Sequence, residues 1–430
     1  MDKKKKVFVV GLDEFNLSLI EQLPECEDCE IIPAVKFSEM RGVEDFSIPD
    51  LLKKTEERVE KKGGIDAVVS YFDFPGSIMV PIIAQKYDLI GPDLESVMKC
   101  EHKYWSRLEQ YKAIPGNIPE FKAFDPFDEQ AYDKIDFKTP FWIKPIKSYH
   151  SFLAYKVKDK KHFYECMKEV RENIDYIIEP FNYILSEYGL PKQISESKKQ
   201  MFAETPISGK QCTAEGYAFD GEVVIYGIVD SVTHEKYASF TRFEYPSNLP
   251  LEIQDRISDL SRKVIKQIGL MNTAFNIEYF YNEEENKINL LEINPRMSQS
   301  HADMFYKVHG ISHHHVMLNL ALGCRPEPFE NKGDFEVAAH FMLRTFKSGV
   351  VKKAPSESEI EQLKKEYPEM RIEITVKEGT NLDDIEEHHV DSYSYVLVYI
   401  DLGGQSHKNL LEKYNDIVKR LSFEIEPIKK

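Results

Sequence analysis

NIEYFYNEEENKINLLEINPR, residues 276–296, contains two apolar runs rich in β-forming residues, separated by a polar segment. This pattern predicts a β-hairpin whose turn lies at 282–287. Side chains alternate between the two faces of a strand, so Glu292 and Asn294 share one face. The turn can place Glu278 opposite them. The segment therefore predicts two carboxylates and an amide oxygen on one surface.

Oxygen ligands of this kind suit a hard cation such as Mg²⁺ or Mn²⁺, which usually shares them with phosphate oxygens. The alternative is an edge hairpin whose acids are solvated. Glu292 favours the metal site, because it lies among Ile and Leu residues and a carboxylate is costly to bury without a partner. Arg296 follows Asn294 by two residues and adds a guanidinium, which can hold carboxylate or phosphate oxygens in a bidentate manner.

The hairpin resembles the ATP-grasp superfamily, in which a strand–turn–strand unit ends in Glu-x-Asn-x-Arg. The resemblance implies that Glu278, Glu292 and Asn294 hold two Mg²⁺ ions on the phosphates of ATP. It also implies that Arg296 is catalytic and contacts the carboxylate or acyl phosphate.

Two lysines extend this resemblance toward the nucleotide. Lys144 lies in the apolar strand Phe141–Pro145, where a lysine must find an anion or reach water. It matches the Val-Lys-Pro strand of the superfamily, so the resemblance gives it an ATP-binding and catalytic role. Lys103 matches an Asp-Lys segment whose lysine reaches an ATP phosphate, although His102 replaces the usual Asp. The alternative for Lys103 is an ordinary surface lysine.

The rest of the nucleotide site is predicted from two further segments. The superfamily wraps ATP phosphates with a glycine-rich loop, but 146–151 contains no glycine, so Ser148, with His150 and Ser151, would have to act through side chains. Residues 176–181 are predicted as a strand that resembles the adenine hinge, with Glu179 and Phe181 as ATP-binding residues.

Candidate substrate residues flank the hairpin in sequence. Residues 233–250 are predicted to be irregular, and in related amino-acid ligases the corresponding region lines the acceptor pocket. This makes candidates of three residues: Arg242, Glu244 and Tyr245. Ser298 and His301 follow Arg296 and are further candidates, while His301 could instead cap a helix.

The chain divides into three predicted domains, with α/β and α+β character overall. Residues 1–92 alternate strands with helices, which predicts a doubly wound parallel sheet. No Gly-x-Gly-x-x-Gly follows its first strand, which disfavours an NAD enzyme. Residues 93–325 would form the ATP-grasp domain, with one helix over 93–111 and a lid at about 122–181. Residues 326–430 would form a C-terminal α+β domain, with a turn at 350–355.

Composition and charge narrow the classes of partner and the compartment that we expect for this protein. The 430 residues carry a net charge of −17 without a long basic stripe, which argues against a nucleic-acid partner. No apolar segment approaches the length of a membrane span. Six scattered cysteines fit reduced intracellular thiols, so we expect a cytoplasmic protein.

The resemblance therefore implies an ATP-grasp ligase that joins a small-molecule carboxylate to an amine through an acyl phosphate, with ATP and Mg²⁺ as cofactors. Two alternatives stay open: a carboxylase of the biotin-carboxylase type that activates bicarbonate, and a regulatory protein that binds ATP without turnover. Assembly as a homodimer is also left open.

Overall fold

The computed structural model describes residues 4–40, 47–147, 153–188, 200–237, 239–385 and 394–427. The strands in chain order are β1 (Lys5–Leu12), β2 (Cys29–Lys36), β3 (Ala67–Val69), β4 (Phe121–Phe124), β5 (Phe141–Pro145), β6 (Tyr155–Val157), β7 (Met201–Glu204), β8 (Lys210–Phe219), β9 (Glu222–Thr233), β10 (Phe240–Tyr245), β11 (Thr273–Asn282), β12 (Lys287–Asn294), β13 (Val337–Thr345), β14 (Val350–Lys353), β15 (Arg371–Ile374), β16 (Tyr395–Gly404) and β17 (Glu424–Glu426).

The α-helices are α1 (Glu14–Ile20), α2 (Ile48–Lys62), α3 (Gly76–Lys86), α4 (Leu94–Glu101), α5 (Lys103–Ala113), α6 (Ala131–Ile135), α7 (Lys160–Glu187), α8 (Leu251–Ile268), α9 (Ala302–His309), α10 (His314–Ala321), α11 (Glu357–Glu366) and α12 (His407–Arg420). Within the described ranges, none of the helices combines the length and the apolar character that crossing a membrane requires.

The N-terminal sheet has the order β2-β1-β3 and is parallel throughout, as predicted. Its central strand is apolar on both faces, because helices cover both sides. Phe8 and Val10 pack toward α2 and α3, whereas Val7 and Val9 belong to a second cluster with α1 and α10. The sheet thus joins the core of the molecule through one of its faces.

A second, four-stranded antiparallel sheet has the order β4-β7-β5-β6 and packs against α7. This sheet contains the three strands that fall in the range predicted for the lid, β4, β5 and β6. It also includes β7, at 201–204, which lies beyond the lid boundary expected at residue 181. The strand next to Lys144 therefore comes from a later part of the chain.

The largest sheet has eight strands in the order β12-β11-β8-β9-β10-β13-β16-β15. The predicted hairpin around Asp220 and Gly221 is confirmed as β8–β9, and both turn residues have positive φ, as a two-residue hairpin turn requires. Because β10 pairs with β13, the sheet runs without interruption across the boundary predicted at 325/326.

Four sequence-based assignments of secondary structure are wrong. Residues 176–181 lie inside the long helix α7, because its apolar residues recur at helical spacing, as at Phe163, Met167, Val170 and Ile174. A short apolar run alone does not distinguish a strand from a buried helix segment.

The other three errors are a helix that is interrupted and two strands that were not predicted. The single helix predicted for 93–111 is two helices, because His102 adopts an extended conformation between α4 and α5, and its Nδ1 accepts a hydrogen bond from the Trp105 amide. The segment 233–250 is not wholly irregular, since β10 lies within it and pairs with strands on both sides. The turn expected at 350–355 contains β14, which pairs with β17.

Candidate active site

Two acids face each other on the β11–β12 hairpin. Glu278 is the direct antiparallel partner of Glu292, and Asn276 is the partner of Asn294, which confirms the hairpin predicted from the sequence. The pairing then jumps from Glu292 to Leu290, so Leu291 forms a β-bulge. Bulges re-aim neighbouring side chains and are frequent near active sites. Here the bulge immediately precedes Glu292.

The two acids of the hairpin differ in their electrostatic environment. Burial, followed by the charge of Glu292, raises the pKa of Glu278 to about 7. Gln211 Nε2 donates a hydrogen bond to Glu278 Oε2 at 2.9 Å. Burial also acts to raise the pKa of Glu292, but Lys103 forms an ion pair with it and brings its pKa below the usual value. The repulsion between the acids is the kind that a bound cation relieves.

A divalent cation fits this pair only with further oxygen ligands. Among the residues that the structure describes, no cluster of three or more His, Cys, Asp or Glu side chains could hold a metal ion. Glu278 and Glu292 supply two carboxylates, and Asn294 is the remaining predicted ligand. Asn294 Nδ2 donates to Asn276 Oδ1 at 2.9 Å, which fixes the amide at the end of the hairpin. Mg²⁺ commonly completes such a set with phosphate oxygens and water.

One cleft brings together both predicted lysines and one predicted metal ligand. Its lining includes Lys103, Lys144, Phe202, Glu204 and Glu292. Lys144 Nζ is 2.5 Å from Glu204 Oε1, so the lysine in the apolar strand has an acid as its partner. Lys103 is the first residue of α5, and its amide donates to the carbonyl oxygen of Ile146 at 2.8 Å.

Glu204 has a second cationic partner in Arg107, whose Nη2 lies 2.9 Å from Glu204 Oε2. Burial alone would raise the pKa of Glu204, but the charges of Lys144 and Arg107 bring it down to about 2. Arg107 also donates to the carbonyl oxygens of Leu290 and Leu291, at 3.1 and 2.8 Å. This arginine therefore ties β7 to the strand that carries Glu292.

Arg296 lies beyond the end of β12 and contacts the segment that follows β3. Its Nη2 is 3.3 Å from Oδ2 of Asp73, which follows β3. Lys147 Nζ is 3.9 Å from Asp73 Oδ1 and forms a close ion pair with Glu101. Burial would raise the pKa of Asp73, but the charges of Lys147 and Arg296 hold it well below its usual range.

A fully buried acid anchors the segment after Arg296. Glu215 Oε1 lies 2.7 Å from His301 Nδ1, and His313 Nε2 lies 3.0 Å from the carbonyl oxygen of Ser298. Burial raises the pKa of Glu215 to about 7 and lowers the pKa of His301 to about 3. The His301 side chain makes no capping hydrogen bond to α9, so its partner is Glu215. Ser298 Oγ is 3.1 Å from Ser300 Oγ.

The other predicted substrate residues have partners within or near β10. Arg242 pairs with Glu244, which also lies 3.6 Å from His407 Nε2. The buried Tyr245 hydroxyl is 2.8 Å from His309 Nε2. These contacts connect β10 to α9 and to the start of α12.

The predicted adenine hinge loses its structural premise, because 176–181 is helical. Glu179 is exposed on α7, and Phe181 is buried with its ring 6.0 Å from those of Phe74 and His102. The predicted phosphate contacts of Ser148, His150 and Ser151 lie outside the described residues.

Sequence reasoning missed Glu204, Asp73, Lys147 and Glu215. Glu204 could have been found, because it ends the apolar strand Met201–Glu204 as Glu292 interrupts its own apolar strand. Glu215 has the same signal within β8. Asp73 and Lys147 lie outside strands and helices, and no local pattern distinguishes them.

Comparison with known proteins places these residues in a wider context. The profile of the ATP-grasp domain family matches residues 137–302. An L-amino acid ligase from Bacillus licheniformis superposes with a TM-score of 0.69 at 15% identity, over 99% of this chain and 100% of that one. An N5-carboxyaminoimidazole synthase from Aspergillus clavatus, in complex with ADP, superposes with a TM-score of 0.65 at 14% identity, over 97% of this chain and 98% of that one.

A biotin carboxylase from Campylobacter jejuni superposes with a TM-score of 0.63 at 14% identity, over 98% of this chain and 92% of that one. Identities this low demonstrate a shared fold and nothing finer. The comparison with curated proteins finds no match.

Proposed function

We propose that this chain is an ATP-dependent carboxylate–amine ligase, because residues 137–302 match the ATP-grasp domain family and the chain shares its fold with an L-amino acid ligase. The observation that carries the proposal is the direct pairing of Glu278 with Glu292, beside Lys103 and on the strand that leads to Arg296. Glu278, Glu292 and Arg296 thus lie on or just after this hairpin, and Lys103 reaches Glu292 from α5. This is the charge pattern that phosphoryl transfer to a carboxylate needs.

Glu278, Glu292 and Asn294 would hold Mg²⁺ or Mn²⁺. When bound, the cation would neutralise the phosphate charge of ATP. Lys103 and Lys144, which line the same cleft as Glu292, would bind phosphate oxygens. Both lysines are paired with acids, Glu292 and Glu204, so nucleotide binding would exchange an internal partner for a phosphate.

In the proposed reaction, a carboxylate oxygen of the substrate attacks the γ-phosphorus of ATP, and ADP leaves. The amine nitrogen then attacks the carbonyl carbon of the acyl phosphate, phosphate leaves, and the amine proton passes to solvent. Arg296 would hold the carboxylate and steady its developing charge. Most of the protein's contribution would be positioning and charge neutralisation.

The test is ADP release by the full chain with MgATP, screened against amino acids and small carboxylates, with and without amines, while product masses are recorded. We expect release that depends on an acid, and a product heavier than the acid by the mass of the amine less water. Release stimulated by bicarbonate alone would favour a carboxylase, for which the biotin carboxylase fold gives a specific reason. ATP binding without any release would favour a regulatory protein and overturn the proposal.

A further inference from the structure

Asp73 is ion-paired with Arg296, the residue that we propose to hold the substrate carboxylate. Its Oδ2 lies 3.3 Å from Arg296 Nη2, and its Oδ1 accepts a hydrogen bond from the Phe74 amide at 2.7 Å. The side chain of Asp73 retains 34% exposure, compared with 17% for Arg296 and 5% for Lys147. Asp73 is therefore the group of this cluster that a ligand can most readily reach.

Among the four groups that ion pairs connect around Arg296, the charges are balanced without a ligand. Asp73 and Glu101 carry the negative charges of the cluster, and Lys147 and Arg296 carry the positive ones. A substrate carboxylate that took Arg296 from Asp73 would leave two acids sharing the single cation Lys147. Taking charges out of water without compensation is costly. An ammonium group that arrives beside the carboxylate would restore the balance.

We propose that Asp73 binds the ammonium group of a substrate beside the carboxylate held by Arg296, and so selects for substrates that carry an amino group. This inference rests on the proposed function. The Arg296–Asp73 ion pair would be replaced by two ion pairs to the ligand, carboxylate to Arg296 and ammonium to Asp73. The oppositely charged groups of an α-amino acid, separated by one carbon atom, match such an adjacent pair.

Glu101 does not compete for this role. Its side chain is only 3% exposed, and it is held by Lys147 and by Ser77, whose hydroxyl donates to Glu101 Oε1 at 2.5 Å. Glu292 is committed to Lys103 and to the proposed metal site. Asp73 is thus the accessible acid that lies against Arg296 in this cluster.

The ammonium can come from either of two sources: the acid that is activated, or the amine that attacks it. The first arm of the test measures the binding of an amino acid and of its analogue without the amino group, by calorimetry with Mg²⁺ and a non-hydrolysable ATP analogue. The second arm measures the KM of the acceptor amine in ADP release. The first arm requires no turnover, so it can fail separately from the proposed function.

The variants are Asp73→Asn and Asp73→Ser, with Asp73→Glu as the conservative change and Glu57→Gln, on the exposed side of α2, as the matched control. We expect the parent to prefer the amino acid over its analogue by about tenfold or more, as charged hydrogen bonds usually give. Asp73→Asn and Asp73→Ser should remove most of this preference, Asp73→Glu should retain part of it, and Glu57→Gln should leave it unchanged.

An unchanged preference, together with a KM for the amine that rises about tenfold in Asp73→Asn, would assign the ammonium to the acceptor. If both quantities are unchanged in the two uncharged variants, or the parent binds neither compound, the proposal is overturned. Acid-dependent ADP release that persists in that case would leave the ligase function standing. Melting curves of each variant show that the loss of preference is not a loss of fold.

Discussion

Three cations that we assign to ligands are each paired with an acid of the protein: Lys103 with Glu292, Lys144 with Glu204, and Arg296 with Asp73. Removing one partner from a buried pair leaves the other charge uncompensated, which costs more than the pair contributes. Variants at these positions therefore require a measurement of stability beside each measurement of activity.

We expect Glu292→Gln to lower acid-dependent ADP release by about 100-fold or more, because the lost metal ligand would supply several kcal/mol of charge stabilisation. The melting temperature should change little, because the loss of the partner of Lys103 is offset by the relief of repulsion on Glu278, and Gln retains the size of the side chain. Glu284→Gln in the exposed hairpin turn is the control. Parent-like kinetics at saturating Mg²⁺ would remove Glu292 from the metal site.

For Lys144→Ala, we expect a higher KM for ATP and a lower rate, because a cation that would bind phosphate is lost. The melting temperature should also fall, although Arg107 continues to compensate Glu204. ATP titration by calorimetry measures the first effect directly. Lys138→Ala, an exposed lysine before β5, serves as the comparison, and equal ATP affinity in both variants would contradict the assignment.

Arg296→Ala should bind ATP nearly as the parent does and lose most acid-dependent ADP release. An interaction made mainly with the reacting group lowers the rate more than it weakens nucleotide binding. An ATP titration and a melting curve on one preparation separate this from a structural role. A large fall in melting temperature with normal activity in the surviving protein would show that Arg296 serves the fold through Asp73.

At the scale of elements, strong local sequence patterns were sufficient to predict the hairpin that carries Glu278 and Glu292. The pattern failed at 176–181, because an apolar run of this length is compatible with a strand and with a turn of a buried helix. The ion pair between Asp73 and Arg296 joins residues 223 positions apart, so no periodic pattern in the sequence could predict it. Long-range ion pairs of this kind depend on how elements pack, and that information is not local.

The element β8 provides a test of buried charge, through Glu215. Burial raises its pKa from 4.5 to about 7, so between these values the unfolded chain has lost a proton that the folded chain keeps. Stability therefore falls as pH rises through this range and is no longer affected by this group above it. Glu215→Gln removes the titration, and its stability relative to the parent should rise by roughly 3 kcal/mol between pH 4 and 8.

Urea unfolding at a series of pH values measures this difference. Glu222→Gln, at the exposed start of β9, is the control and should show no such trend. A difference between Glu215→Gln and the parent that does not vary with pH would mean that Glu215 is ionised in the folded protein throughout this range.

At the scale of the whole molecule, the eight-stranded sheet makes the C-terminal part integral to the fold. We expect a chain that ends at residue 325 to aggregate or to lose cooperative unfolding, because β10 would lose its partner β13. Circular dichroism and size-exclusion chromatography check this. Co-expression with a fragment of residues 326–430 should restore a soluble complex, and a stable, monomeric 1–325 fragment would contradict the expectation.

The strand that carries Glu292 lies at the edge of this sheet, where open backbone groups could pair with another chain. Arg107 donates hydrogen bonds to the carbonyl oxygens of Leu290 and Leu291, and Asn117 Nδ2 donates to that of Ile288 at 2.8 Å. An incoming strand would find these acceptors already occupied and the bulge at Leu291 out of register. The contacts that hold the acids in place therefore also protect this edge against fibril-like self-association, and loss of the Arg107 side chain should expose it.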